Sequence, residues 1–476
     1  MKKKTIYRCS SCGFEHPKWQ GSCNNCREWN TLQEEVSGGV SEQKQITSKK
    51  NNQIKRLTET VSQNSDRIAT SYNEFNRVMG GGIVKDSLTI ITAVPGAGKS
   101  TLLLQISNDV AKRGYKVLYA SGEESDSQIK RRAERILKDG IHQDVWVYSS
   151  NSLNQVLGCV EDVDPDLIII DSIQTFTLDE FPSRPGSPTQ TMECATALLR
   201  VAKDSKRPRA VVMVGQMTKD NELAGLRALE HLVDTVLILE GEEGEELKTL
   251  YSSKNRFAGT GEIGFFIMEE TGLSPVDNPS EYFMTQRAEN DIVSGSALTV
   301  VKEGTRAIIL EIESLVSQTF MPYPSRIAEC LKKDHVNTLI SIMEQRAGIL
   351  LHDKNVVVKT TGGMKLKEQS SNLAAIMSMV SSVKNMGIPN DTVFIADIGL
   401  TGELKKVPTL EMRIRELERM GFRKVYVALN GLKPNTSFKS IQVVPCKTLS
   451  EVIHSVFGTN STKKTSLAPW EIEERH

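Results

Sequence analysis

One stretch of the sequence, residues 87–105, restricts the fold of the chain more than any other. Residues 87–92 are rich in leucine, isoleucine and threonine, which is typical of a buried strand in a parallel sheet, and residues 102–105 open a helix. The loop between them consists of Ala93, Val94, Pro95, Gly96, Ala97, Gly98, Lys99, Ser100 and Thr101. A strand, a glycine loop and a helix in this order predict a phosphate-binding site, because the backbone N–H groups of the loop and of the first helical turn point at an anion.

The loop also carries the side chains that bind a nucleoside triphosphate with its Mg²⁺. Lys99 is predicted to contact the outer phosphates and the Ser100 hydroxyl to bind Mg²⁺. The pattern G-x-x-x-x-G-K-[ST] has glycine at its first position, where this chain has Ala93, whereas Gly96 and Gly98 are present. An ordinary strand–turn–helix does not need a lysine followed by two hydroxyl residues, so the loop is predicted to bind ATP.

Acidic residues follow two further predicted strands. Glu123 and Glu124 come after the strand at 116–121, and Asp171 ends the apolar run that starts at residue 166. An acid at the carboxyl end of a parallel strand faces the ligand crevice, so Asp171 is predicted to lie beside Mg²⁺. Glu123 is predicted to be the base that orients the attacking water, with Glu124 as the competing choice.

Lys254 and Arg256 are two cations at alternate positions near the end of a predicted strand. At this spacing both can reach one phosphate group. If the subunits form a ring, the two cations could act on a neighbour's nucleotide, as an arginine finger does. Spacing alone is explained equally well by an exposed basic hairpin.

Four of the eight cysteines lie in the first 26 residues. Cys9 and Cys12 form one C-x₂-C pair, and Cys23 and Cys26 form a second pair after ten intervening residues. Two such pairs supply the four thiolates of a tetrahedral Zn²⁺ site, which so short a segment needs in order to fold. Redox or disulfide pairs are the alternative. A metal this far from the phosphate loop is predicted to be structural.

The composition limits the classes of function. Lysine plus arginine and aspartate plus glutamate each total 59, so DNA binding would need local clusters of charge. No uncharged apolar stretch is long enough to cross a bilayer, and no apolar run follows the basic first residues, as a secretory signal requires. The other four cysteines lie singly in apolar contexts, as reduced core residues do. We therefore expect a cytoplasmic protein that does not contact a membrane.

A chain of 476 residues is too long for one compact core, so several domains are expected. The region before the phosphate loop has the polar composition of a linker, and from about residue 295 strand-like and helix-like runs alternate as in a separate α/β unit. The predicted divisions are a zinc ribbon at 1–36, a flexible linker at 37–66, an ATPase domain at 67–284, a second α/β domain at 285–457 and a polar tail at 458–476.

Four motifs distributed over the chain are distinctive. They are Pro-Lys-Trp-Gln-Gly at 17–21, Ser-Gly-Glu-Glu-Ser at 121–125, Ile-Asp-Ser-Ile-Gln-Thr at 170–175 and Lys-Asn-Arg-Phe at 254–257. Together they resemble the bacterial RadA/Sms DNA-repair family, of which the last motif is the signature. The resemblance implies an α/β protein with a zinc ribbon, a RecA-like P-loop ATPase with a mostly parallel sheet and a C-terminal Lon-protease-like domain, assembled as a hexameric ring.

The activity implied by this resemblance is DNA-dependent ATP hydrolysis that drives branch migration during recombination. The implied partners are single-stranded and branched DNA and the recombinase RecA. Three positions depart from the family: Ala93, Ala258 where the signature is followed by glycine, and Gln216 where many members have histidine. Glutamine and histidine both hydrogen-bond a phosphate, so Gln216 keeps an implied role in sensing the nucleotide.

A Lon-like domain also raises the alternative of proteolysis. Lon enzymes use a serine nucleophile and a lysine base; Ser371 aligns near the serine, but Arg413 aligns with the lysine. Arginine is not deprotonated in proteins and cannot act as the base. We therefore expect a ring-forming, DNA-stimulated ATPase rather than an ATP-dependent protease. A nucleotide-binding adaptor without turnover is the third hypothesis, motivated by Ala93 and Ala258.

Overall fold

The computed structural model describes residues 4–10, 12, 14–29, 31–37, 58, 67–216, 226–241, 246–288, 291–321, 323–433 and 436–458. They belong to two compact units, Met1–Gln63 and Asn64–His476. The predicted linker and the predicted polar tail lie almost wholly outside the described residues. Within those ranges no helix combines the length and the apolar content that a membrane crossing requires.

The first unit is a small antiparallel sheet in the order β2-β1-β3. Its strands are β1 (Lys4–Cys9), β2 (Glu15–His16) and β3 (Leu32–Ser37). Cys9, Cys23 and Leu32 form its buried core. Burial of these few apolar side chains does not offset the conformational entropy that the unit loses on folding. The unit therefore needs a bound metal to be stable.

The second unit begins with an α/β layer. Its strands are β4 (Arg67–Ile68), β5 (Ile83–Val84), β6 (Leu88–Ala93), β7 (Val117–Ser121), β8 (Val145–Ser149), β9 (Leu167–Asp171), β10 (Ala210–Gln216), β11 (Thr235–Glu240), β12 (Leu247–Asn255), β13 (Ile263–Glu269) and β14 (Gly272–Pro275). Its helices are α1 (Asn73–Met79), α2 (Lys99–Lys112), α3 (Asp126–Ile136), α4 (Leu153–Val163), α5 (Pro188–Ala202), α6 (Leu226–Leu232) and α7 (Pro279–Tyr282).

Nine of these strands form one twisted sheet in the order β14-β13-β12-β11-β6-β10-β9-β7-β8. The six strands from β11 to β8 are parallel, and β12, β13 and β14 extend the sheet in antiparallel fashion. All six residues of β6 are buried because helices cover both faces. Ile91 packs on the side of α2 and α3, and its neighbour Ile90 on the side of α4 and α5. The sheet is the mostly parallel one that the sequence predicts.

A second sheet follows, in the order β17-β18-β16-β15-β19-β22-β23. The strands of this region are β15 (Ser296–Glu303), β16 (Arg306–Gln318), β17 (Arg326–Ala328), β18 (Lys354–Thr360), β19 (Thr392–Ile395), β20 (Asp397–Ile398), β21 (Leu404–Lys405), β22 (Lys424–Ala428) and β23 (Gln442–Cys446). The helices are α8 (Lys333–Ala347), α9 (Asn372–Lys384), α10 (Leu410–Arg419) and α11 (Leu449–Phe457). Helices α8, α9 and α11 pack on one face and α10 on the other.

The two sheets meet at a buried junction. The Phe265 and Phe283 rings contact edge to face with centroids 5.7 Å apart, inside an apolar cluster that includes residues of β15 and β16. Beside it, Nη1 of Arg306 lies 2.9 and 2.8 Å from the two carboxylate oxygens of Glu74, a side chain with 1% exposure. The change of sheet thus falls between β14 and β15, while the junction packs both sheets into one unit.

Candidate functional site

The phosphate loop joins β6 to α2. Ala93, the last residue of β6, is buried and pairs with Gln216 of β10 in parallel register, so its backbone is extended. Gly96 and Gly98 have φ angles of 81° and 101°, which glycine adopts without steric cost. A Cβ on Gly98 would lie 2.4 Å from Cε of Met268. The loop therefore needs glycine at 98, whereas an extended strand residue at 93 is compatible with alanine.

Lys99 is the first residue of α2 and is largely buried. Its Nζ donates to the backbone carbonyls of Ala93 and Val94, at 2.9 and 3.3 Å. Burial lowers the pKa of Lys99, and the nearby carboxylates of Asp171 and Glu123 partly oppose that effect. The structure thus gathers the predicted lysine and both predicted acids at the carboxyl edge of the sheet.

Asp171 lies at the end of β9, opposite Ser121 at the end of β7. Its Oδ2 accepts a hydrogen bond of 2.6 Å from the hydroxyl of Tyr119, which is buried in the sheet. Burial and the Asp171 charge raise the pKa of Tyr119 well above its ordinary value, so the phenol remains a donor. Tyr119 was not singled out from the sequence; the available signal was its position two residues before the strand end, on the same face as Ser121.

The structure gives the two candidate bases, Glu123 and Glu124, different partners. Oε1 of Glu123 accepts hydrogen bonds from the hydroxyl of Ser172 at 2.6 Å and from Nε2 of Gln216 at 2.8 Å. The Glu124 carboxylate instead pairs with Arg132 on α3. Glu123, and not Glu124, is therefore connected to the tips of the neighbouring strands β9 and β10. Ser172 is a second residue that the sequence analysis missed, although it directly follows Asp171.

Lys254 and Arg256 lie at the opposite edge of the same sheet. Nη1 of Arg256 is 3.0 Å from Oδ1 of Asp234, and the Asp234 carboxylate also accepts from the backbone N–H of Leu88, the first residue of β6. The phosphate loop begins at the other end of β6, five residues away, which is about 17 Å at about 3.3 Å per residue. Within one chain these cations therefore do not reach the phosphate loop.

The two cations differ in their surroundings. The Nζ of Lys254 donates to the backbone carbonyl of Glu230, and burial together with the charge of Arg256 lowers the pKa of Lys254. The Arg256 side chain is 52% exposed despite its contact with Asp234. Arg256 is thus the cation of this pair that is more accessible to a neighbouring molecule.

The four ribbon cysteines form a candidate metal centre in the first unit. The Sγ atoms of Cys9, Cys12, Cys23 and Cys26 all lie within 4.8 Å of one another. The distances are 3.6 Å between Cys9 and Cys26 and 3.5 Å between Cys12 and Cys23. Four thiolates around a tetrahedral Zn²⁺ at about 2.3 Å are about 3.8 Å apart, so the donor set fits a closed structural zinc site.

A buried histidine lies next to this cysteine cluster. Nε2 of His16 is 3.4 Å from Sγ of Cys23, and the Gln20 amide nitrogen is 3.2 Å from Nδ1 of His16. Donation by Gln20 to Nδ1 leaves the ring proton on Nε2, from which it is donated to the cysteine sulfur. His16 therefore orients one of the four sulfur atoms.

Two family models match the parts of the chain that contain these residues. The family described as AAA domain matches residues 54–222, and the family described as Rubredoxin metal binding domain matches residues 7–34. The DNA repair protein RadA of Bacillus subtilis (strain 168) is 37% identical over 462 residues, which cover 96% of this chain and 99% of that protein. The chain belongs to the RadA family.

Other members of the RadA family match over similar lengths. RadA of Streptococcus pyogenes serotype M3 is 39% identical over 461 residues, covering 96% of this chain and 100% of that protein. RadA of Haemophilus influenzae is 38% identical over 456 residues, covering 94% and 98%. Among solved structures, a KaiC-like protein of Pyrococcus horikoshii OT3 aligns with a TM-score of 0.37 at 15% identity, covering 44% of this chain and 99% of that chain.

One departure from the RadA signature has a structural counterpart. A side chain on residue 80 would clash with the Cβ of Ala258. Ala258 therefore fits because residue 80 is glycine. Ala258 does not have a positive φ, and its backbone N–H donates to the Asn255 side chain at 3.1 Å. The turn after the RadA signature therefore accommodates alanine without backbone strain.

Arg413, which aligns with the protease lysine, forms a structural ion pair with Glu368, and Ser371 contacts the backbone of the same glutamate. Arg413 has 1% exposure, and its Nη1 and Nη2 lie 2.6 and 2.8 Å from the two carboxylate oxygens of Glu368. The hydroxyl of Ser371 donates to the backbone carbonyl of Glu368 at 3.1 Å. An arginine fixed in this way holds the segment before α9 and does not activate a nucleophile.

Proposed function

We propose that this protein is a DNA-dependent ATPase of DNA repair that works as a ring, with six subunits as the expected number. Its curated relatives bear the name DNA repair protein RadA. In this proposal the ring acts on single-stranded and branched DNA, drives branch migration and works alongside RecA, as the resemblance to the RadA/Sms family implies. The Zn²⁺ of the ribbon has a structural role.

The proposed chemistry uses side chains at the carboxyl edge of the first sheet. The N–H groups of the loop and the ammonium of Lys99 bind the outer phosphates, while Ser100 and Asp171 would hold Mg²⁺, which supplies charge neutralisation when bound. Glu123 accepts a proton from the attacking water. Gln216, hydrogen-bonded to Glu123, connects the state of the γ-phosphate to the tip of β10.

The position of Lys254 and Arg256 is the observation that supports a ring-shaped assembly. Both lie at the amino edge of the parallel strands, about 17 Å or more from the loop of their own chain. A head-to-tail ring brings the amino edge of one subunit against the carboxyl edge of the next. The two cations would then stabilise the charge that develops on the neighbour's γ-phosphate.

The test is the ATPase rate of the full chain with and without single-stranded DNA, together with the mass of the assembly in the presence of ATP. We expect stimulation by DNA and a mass of several subunits. Lys99→Ala should abolish turnover in both conditions. DNA-stimulated hydrolysis by the Lys99→Ala protein, or by a monomer, would show that the proposal is wrong.

A further inference from the structure

A buried tyrosine lies beside the acid that ends β9. Tyr119 of β7 pairs with Ile169 of β9 in parallel register, and both side chains belong to the apolar cluster on the side of α2. Asp171 follows Ile169 by two residues, so its side chain lies on that same face of the sheet. The Tyr119 hydroxyl thereby reaches Oδ2 of Asp171 and donates to it at 2.6 Å.

The position of this hydroxyl is fixed by its surroundings. Strand β7 is paired on both sides, with β8 and with β9, so the backbone of Tyr119 is held inside the sheet. The Tyr119 side chain is 1% exposed and packs among the apolar residues under α2 and α3. Because a close-packed interior holds such a ring in one rotamer minimum, the hydroxyl keeps its place relative to the end of β9.

The two oxygens of the Asp171 carboxylate differ in their contacts. Within the described ranges of the chain, the Tyr119 hydroxyl is the only hydrogen-bond donor to this carboxylate, and it binds Oδ2. Oδ1 is left for another ligand, although Asp171 is only 8% exposed. Magnesium takes oxygen ligands, so this carboxylate fits the metal that accompanies a nucleoside triphosphate. The torsion that turns a carboxylate is soft, and the hydrogen bond to Oδ2 restrains it.

We propose that Tyr119 is a positioning residue for the Mg²⁺ of the ATP site, because its hydroxyl holds Oδ2 of Asp171 and leaves Oδ1 directed at the metal. The proposal rests on the role that the proposed function gives to Asp171. Tyr119 acts through Asp171 alone. Loss of a group that orients a metal ligand typically lowers metal affinity or activity by about 10- to 100-fold, and we expect an effect of this size.

The experiment measures the affinity of the full-length protein for a non-hydrolysable ATP analogue by calorimetric titration, once with Mg²⁺ and once with EDTA. Tyr119→Phe removes the hydroxyl and keeps the ring in the apolar cluster. It should weaken binding of the analogue about tenfold or more with Mg²⁺ and leave binding in EDTA unchanged. The Mg²⁺ concentration that gives half-maximal ATPase activity should rise by a similar factor. A role of Tyr119 in packing alone would not make the loss depend on the metal.

The second sheet offers a matched control. Tyr426 is also 1% exposed, and its hydroxyl lies 2.9 Å from Oγ of Ser455. Tyr426→Phe removes the same group from a buried tyrosine and should leave both affinities unchanged.

Two results would overturn the proposal: Tyr119→Phe binds the analogue with Mg²⁺ as tightly as wild type, or it loses equal affinity with Mg²⁺ and with EDTA. Asp171→Asn separates this failure from that of the proposed function. If Asp171→Asn weakens binding only with Mg²⁺ while Tyr119→Phe does not, the role of Tyr119 alone is wrong. If Asp171→Asn also keeps the wild-type affinity with Mg²⁺, the assignment of Asp171 to the metal is wrong as well.

Discussion

The role of Glu123 can be tested against the adjacent Glu124, because the structure gives the two carboxylates different partners. In Glu123→Gln the amide oxygen still accepts hydrogen bonds from Ser172 and Gln216, so folding and ATP binding should persist. What is lost is the acceptor of the proton from water, which contributes about 10²- to 10⁴-fold in rate. This corresponds to about 2.7–5.4 kcal/mol of transition-state stabilisation.

Glu124→Gln removes a pair with Arg132 in which the side chains are 27% and 25% exposed. Because this pair is partly exposed and no step of the proposed reaction uses it, its loss should lower stability modestly and leave the reaction almost unchanged. Turnover should therefore change by less than about threefold. The steady-state rate of hydrolysis at saturating ATP and DNA, with nucleotide affinity measured separately, distinguishes the two variants. The reasoning fails if Glu123→Gln keeps more than a tenth of the rate, or if Glu124→Gln is the slower enzyme.

Three further predictions concern buried charges and the ribbon. Arg413→Met should lower the free energy of unfolding by about 3 kcal/mol in urea, because it removes the buried guanidinium that neutralises Glu368 and leaves that carboxylate only neutral donors, the Ser370 hydroxyl and the Lys302 N–H. Burial raises the pKa of Glu368, but the hydrogen bonds, chiefly those from Arg413, bring it below the ordinary value. The stabilisation from the ion pair is therefore complete above about pH 4.5 and is lost as the pH falls through the folded-state pKa of Glu368. The difference in stability between wild type and variant should accordingly shrink in acid. Arg306→Met should cost about 3–5 kcal/mol, since Glu74 is almost fully buried. Removal of zinc with a chelator, or Cys12→Ser, should raise hydrogen exchange in residues 4–37 and leave that of the second unit unchanged.

A matched control exists for the two arginine variants. Arg415 pairs with Glu411 on α10, where the side chains are 57% and 46% exposed. Arg415→Met should change stability by less than about 1 kcal/mol. If Arg415→Met lowered the free energy of unfolding as much as Arg306→Met does, burial of the Glu74 carboxylate would not explain the stability lost in Arg306→Met.

The sheet could be predicted from the sequence because its strands carry a local signal. A strand covered on both faces is apolar along its whole length, and for this reason the apolar run predicted to start at residue 166 and to end at Asp171 closely matches β9. The phosphate loop is similarly local, since its glycines, lysine and hydroxyls are consecutive. The rule that parallel strands end at one edge then brought Glu123 and Asp171 together.

The remaining features depend on contacts between distant residues. Glu123 and Glu124 are neighbours in one turn, and they are distinguished by distant partners: Arg132 of α3 pairs with Glu124, while Ser172 and Gln216 donate to Glu123. The partner of Arg413 lies 45 positions away, and no periodicity connects it to Glu368. The junction at which Arg306 contacts Glu74 likewise arises from the packing of two sheets, which the sequence analysis treated as separate domains. The predicted bounds of those domains remain a prediction.

The central claim, that each ATP site is completed by the neighbouring subunit, is tested most directly by mixing two inactive variants. Lys99→Ala disables the loop of its own chain, and Arg256→Ala disables the cation supplied to the neighbour. In a random 1:1 ring, about a quarter of the interfaces combine an intact Lys99 with an intact Arg256, so the mixture should recover about a quarter of the wild-type DNA-stimulated ATPase rate. A mixture no more active than the average of the two variants alone would contradict the account.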